Sequence, residues 1–170
     1  MVNIKEKNDK RLDATLEDDF VDIIVGEIRR TRAPAFRLHV IGDFYTVEYV
    51  GKWIAIAKRL PDVIFFGSTR SWRCDFIAEV LKRYRDLPNV YMKASVDPTD
   101  NEDPFGCGWS IWSVEGEGTP CPHDYRLVAN CAECKRCWSI KDLNVMFRLR
   151  WGGRNRQEQP AMFDFASFDK

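Results

Sequence analysis

No stretch of this 170-residue sequence approaches the roughly 20 consecutive apolar residues that a membrane-spanning helix needs, so no membrane association of that kind is expected. No charge sign prevails. The 26 basic residues offset the 26 acidic ones, so no global field gathers nucleic acid or lipid, and any such binding must come from a local patch. Internal repeats and low-complexity tracts are missing. The opening stretch, Met1 to Asp13, is charged and no apolar run follows it, so it is not expected to act as a secretory signal. A cytoplasmic location follows as the expectation, and there thiols stay reduced.

The length fits a single domain with a core of its own, and 45% apolar with 31% charged residues is ordinary for a globular protein. Residues 1–14 read as a flexible, charged lead-in, 15–151 as one α/β domain, and 152–170 as a C-terminal tail with scattered aromatics. Leu16, Phe20, Ile23, Ile24 and Ile28 recur with helical spacing, predicting a first helix from about Leu16 to Arg30. Phe36 to Ile41 then reads as a strand closed by Gly42-Asp43. Thr46 is placed to cap a helix with Val50, Trp53, Ile54, Ala57 and Leu60 on its inner side. Val63 to Phe66 is a short apolar strand, Asp75 opens a further helix, and Val90 to Val96 makes a third strand. Alternation of strand and helix with short turns predicts a parallel sheet, because parallel neighbours need a crossover. Its architecture is either part of a barrel or an open sheet. Beyond Asp97 the pattern predicts strands at Trp109 to Val114 and from Val145 to Trp151.

The strongest chemical signal is Cys121-Pro122 followed by Cys131-x2-Cys134-x2-Cys137, within segment 121–137. Six cysteines in a reducing compartment point to ligands rather than disulfides. A triplet at i, i+3 and i+6 matches the way a ferredoxin loop wraps a cuboidal 4Fe–4S cluster, with Cys121 returning as the fourth ligand. Zinc is the alternative, since all-cysteine zinc sites tolerate varied spacing and His123 could replace a ligand. Cys74 and Cys107 read as small buried hydrophobes.

The carboxyl ends of the expected strands carry Asp43, then Thr69, Arg70 and Ser71, then Asp97. Ligands of parallel α/β sheets bind at that end, so these residues form a possible ligand pocket, with helix capping or loop bracing as the alternative for each. His39, inside a strand, reads as structural. Arg148 and Arg150 offer a local basic patch for nucleic acid or a host protein. A solvated face is the alternative there too.

Phe36 to Phe44, the Trp53 helix, Phe65 through Ser71, Ala94 to Asp97 and the closing cysteine set resemble, in the same order, the phage gene-product-eighty-eight-like family of bacteriophages and mobile elements. The resemblance runs over residues 34–151. It implies a viral protein working in the host cytoplasm and a strand order similar to part of the radical-SAM barrel. No C-x3-C-x2-C motif is present, which speaks against radical-SAM catalysis. Three functions remain open. One is a phage-type iron–sulfur protein with a structural or redox cluster. The others are a zinc-stabilised binding module and an enzyme using the pocket around Asp43, Arg70 and Asp97.

Overall fold

A computed structural model of the protein describes residues 4–40 and 42–149. Six strands form one sheet in which every pairing is parallel. They are β1 (Ala35–Leu38), β2 (Ile64–Thr69), β3 (Val90–Val96), β4 (Ile111–Val114), β5 (Thr119–Pro120) and β6 (Val145–Phe147), in spatial order β1-β2-β3-β4-β6-β5. The helices are α1 (Ile4–Leu16), α2 (Phe20–Thr31), α3 (Val47–Arg59), α4 (Asp75–Arg85), α5 (Cys131–Cys134) and α6 (Arg136–Ser139), with a 3-10 turn over Ser71–Arg73. The mixed α/β class and parallel sheet expected from the sequence are therefore present, and β3 has the expected bounds.

The largest departure is at the start. Residues expected as a lead-in form α1, tied down where Thr15 and Tyr45 share a hydroxyl–hydroxyl hydrogen bond of 2.5 Å and where Lys52 Nζ donates to the Thr15 carbonyl at 2.7 Å. Leu16 closes α1 instead of opening the next helix. That shift leaves Leu16 and Ile23 exposed, while Phe20, Val25 and Ile28 are buried.

Helices α3 and α4 are the crossovers between β1, β2 and β3, and α2 packs on α3. Thr46 caps α3 as its position predicts, its hydroxyl accepting from the Tyr49 N–H at 3.1 Å. Asp75 lies inside the first turn of α4, and Cys74 takes the cap position without a side-chain bond. Outward residues of the strands (Leu38, Phe65, Met92, Ala94, Ile111) join Val50, Trp53, Ile56, Ile77 and Leu81 in the main core. His39 sits there among Phe44, Tyr49 and Trp53, with Nε2 3.1 Å from the Tyr49 hydroxyl, and burial lowers its pKa.

The opposite face of the sheet has a smaller core of Phe66, Trp112, Cys121 and Val145, against which Tyr91, Cys137, Trp138 and Phe147 pack. Arg37 of β1 reaches Trp112 of β4 on this side, Cζ 5.3 Å from the ring centre, across the two intervening strands. That contact marks the face as concave. Strand β5 was not expected; its Thr119-Pro120 lies in a stretch that reads as turn. It forms because Gly118, at φ +129°, brings the chain against β6, where a Cβ would stand 2.9 Å from the Asn144 backbone. Strand β6 stops at Phe147, and the expected continuation to Trp151 reaches beyond the described residues.

Candidate metal centre

The connection between β5 and β6 is the cysteine segment itself, so the sheet anchors it at both ends. Cys121 follows β5 directly, its N–H donating to the Met146 carbonyl at 2.9 Å, and it is buried. Asn130 caps the short α5, accepting from the Glu133 N–H at 3.0 Å, while Glu133 accepts from the Ala129 N–H at 2.8 Å. Lys135, at φ 56°, breaks the chain between α5 and α6, so that Cys134 and Cys137 sit on successive turns. Trp138 then packs edge-on against Phe66 of β2, with ring centres 4.6 Å apart.

The result is one small cleft lined by Cys121, Cys131, Cys134 and Cys137 and otherwise mainly by Pro120, Pro122, Trp138, Leu143 and Val145. His123 and the positively charged Lys135 and Arg136 also border it. Among the described residues no three His, Cys, Asp or Glu side chains already close on a point as an ion-binding group. The thiols nevertheless sense one another. Burial, and then the charges of Cys121, Cys134 and Cys131, push the Cys137 thiol up to about 12. Burial also raises Cys121, opposed by hydrogen bonds from the backbone N–H groups of Asp124 and His123.

Sequence reasoning overlooked Lys93. Its side chain is fully buried on the concave side, where Nζ donates to Ser110 Oγ at 3.1 Å and to the Lys141 carbonyl. Burial lowers its pKa to about 8, and the charge of Cys137 works against that shift. The available signal was a lysine in an otherwise largely apolar strand, on the same side of the pleat as Tyr91. Asp100 and Asp124 also escaped notice.

At the strand ends the expected pocket residues are brought together, but onto one another. Asp43 accepts from Thr69 Oγ1 at 2.5 Å, from its neighbour's N–H (Phe44) at 2.8 Å and from the Arg70 N–H at 2.7 Å. Arg70 bridges Asp97 at 2.8 Å and Asp100 at 2.9 Å, and Arg73 also pairs with Asp100. Ser71 donates to the Phe44 carbonyl at 2.6 Å. Asp97 is held down at about 2, first by the hydroxyl and N–H of Thr99 and then by Arg70. The network braces three loops.

Arg148 is likewise engaged. Its N–H donates to Asp124 at 2.7 Å, its guanidinium to the Asp124 carbonyl at 2.5 Å, and it stacks over Tyr125 at 4.4 Å. Arg150 lies outside the described residues. Cys74 is half-buried, as a small hydrophobe would be, but Cys107 is exposed. No helix among the described residues is long and apolar enough to cross a membrane.

Comparison with known proteins finds no solved structure that matches. The Gene 88 protein of Mycobacterium phage L5 is 36% identical over 90 residues, which cover 52% of this chain and 36% of the relative. The Gene 88 protein of Mycobacterium phage D29 is 32% identical over 90 residues, 52% of this chain and 35% of the relative. The chain thus spans about a third of the length of the curated relatives it matches. A family model described as Gene product 88 matches residues 1–107, and so stops ahead of Cys121, short of the cysteine set that the sequence resemblance includes. That match takes in α1 to α4 and β1 to β3, and on it the chain belongs to the Gene product 88 family.

Proposed function

We propose that this is a phage-type iron–sulfur protein whose 4Fe–4S cluster, structural or redox-active, is held by Cys121, Cys131, Cys134 and Cys137. The observation that carries the reading is four thiols on one largely apolar cavity, two of them a short turn apart and one arriving from a sheet strand. Two further features support it. N–H groups directed at the Cys121 sulfur stabilise a thiolate and tune a bound centre. Lys93 is buried with no carboxylate within ion-pair distance among the described residues, and the charge of Cys137, ahead of that of Asp142, favours its cationic form, as an anionic thiolate centre would more strongly. When bound, such a cluster supplies a one-electron couple and a crosslink between the segment and the sheet. The residues of this chain orient the sulfurs, and Trp138 and Val145 keep water from the cavity.

Zinc in the same four-thiol site is the second reading, favoured by His123 on the cavity rim and making the segment a clamp for a binding module. The strand-end network and Arg148 are already satisfied internally, so neither an enzyme pocket around Asp43, Arg70 and Asp97 nor a nucleic-acid patch at Arg148 gains support from its geometry. Absorption of protein purified without oxygen, with iron, sulfide and zinc analysis on the same sample, decides between the metals. A broad band in the blue with about four irons and four sulfides per chain is expected. Colourless protein with about one zinc would replace the cluster with the clamp. Cys131→Ser is expected to bleach the first and to empty the second.

A further inference from the structure

The concave face carries a cation that the fold leaves without a counter-charge. Arg37 is exposed on β1, and among the described residues its guanidinium has no ion pair or side-chain hydrogen bond, only the face of Trp112. Several other guanidiniums are paired with carboxylates. Arg59 meets Asp22, Arg70 meets Asp97 and Asp100, and Arg85 meets Asp86 and the Gly108 carbonyl. Beneath Arg37, Trp112 is 8% exposed, and its Nε1 is buried with no hydrogen-bond partner. An orphaned N–H under an unpaired guanidinium is costly to bury, and both groups are donors.

Register shows what lies nearby. Trp112 is paired with Ser95 of β3, and the pleat that turns Phe66 inward also turns Ser68 inward. Both serines are half-buried, and neither hydroxyl has a protein partner among the described residues. Carboxylates are missing from the inward positions of β1 to β4. The same face, a few side chains away, carries the cysteine cavity, since Trp112, Cys121 and Cys137 belong to one packed cluster.

We propose that Arg37, Trp112, Ser68 and Ser95 form a subsite for the anionic group, carboxylate or phosphate, of a small ligand on the concave face beside the cysteine centre. The guanidinium fork takes two oxygens of such a group, the serine hydroxyls complete its coordination, and the Trp112 ring forms the floor beneath the fork. Parallel α/β folds bind ligands on this side of the carboxyl ends of their strands. The subsite does not depend on which metal the thiols hold, so its test and that of the metal centre fail separately.

The experiment is calorimetric titration of the full chain, as purified and at low ionic strength, with inorganic phosphate, with malonate and with chloride. Saturable binding of phosphate or malonate at least ten-fold tighter than chloride is expected, and the tighter of the two names the ligand group. Arg37→Gln is expected to weaken that binding at least ten-fold while circular dichroism and metal content stay unchanged. Ser68→Ala and Ser95→Ala should weaken it a few-fold. In the wild-type chain the same anion should protect Arg37 from phenylglyoxal, read by mass spectrometry, a measurement that stands even if Arg37→Gln misfolds. Binding no tighter than chloride, binding undiminished in a folded Arg37→Gln chain, or Arg37 modified equally with and without the anion overturns the proposal.

Discussion

Lys93 and Cys137 oppose each other on the concave side of the sheet, and the pH dependence of the metal-free protein should show it. Burial lowers the lysine from 10.5 to about 8, so between those values the unfolded chain binds more protons than the folded one. Stability therefore rises with pH across that window. Cys137 is raised from 9.0 to about 12, so there the folded chain holds the extra proton and stability falls as pH rises. Thermal unfolding of the chelated protein is expected to show a gain from pH 8 to 9, near balance to 10.5 and a decline beyond. Lys93→Met should remove the gain and keep the decline. A wild-type profile flat from 8 to 9 would mean that the ammonium is hydrated after all. A second residue carries a comparable local burden. The buried Asn89 directs its amide nitrogen at the carbonyls of Ala57, Leu60 and Val63, each at 3.0 Å. Asn89→Ala removes all three bonds, although the Ala57 and Leu60 carbonyls still accept from the Leu60 and Val63 N–H groups, and is expected to cost about 2 kcal/mol in denaturant unfolding.

Between β1 and β2 the backbones come so close that a Cβ on Gly67 would stand 1.5 Å from the Leu38 carbonyl oxygen, its register partner. Gly67→Ala is expected to cost about 3 kcal/mol or more, because neither strand can give way without breaking the ladder. Urea unfolding measures it, and a loss below about 1 kcal/mol would mean the strands separate there easily. The elements that could be read in the sequence are those whose signals are local. Thr46 caps α3 through its own hydroxyl, and β3 stands out as an apolar run between Pro88-Asn89 and Asp97. Helix α1 was hidden because most of its residues are charged or polar and its few apolar ones form no continuous stripe. What orders its end is a set of bonds from Tyr45 and Lys52, more than 25 residues away. Strand β5 was hidden for a related reason: two residues carry no periodicity, and only the approach of β6 makes them a strand. The same limit applied to the sites. Four cysteines at telling spacing led to one cavity, whereas the pairing of Arg70 with Asp100 and the isolation of Arg37 depend on which side chains the sheet brings together.

The two faces of the sheet are held by unequal means, and that inequality sets how the whole molecule should come apart. The convex side, under α2, α3 and α4, has a core of 21 buried residues; the concave side has four, eked out by the cysteine segment. So small an apolar cluster cannot by itself hold residues 121–144, which have only two four-residue helices of their own. A metal bridging four thiols supplies what the packing lacks, closing the loop between β5 and β6 much as a crosslink does. Removing it should therefore loosen one side of the protein and not the other. Hydrogen exchange on chelated protein is expected to lose protection throughout 119–147, including the Cys121 N–H that bonds to Met146. The amides of α3, α4 and the β2–β3 ladder should keep theirs. Trp112 and Phe66 would then meet solvent, giving a red shift in tryptophan emission and binding of a hydrophobic dye. Uniform loss across all elements would mean that the sheet is one cooperative unit for which the centre is essential. No loss anywhere would mean that the segment folds without metal, and the four thiols would then need a different explanation.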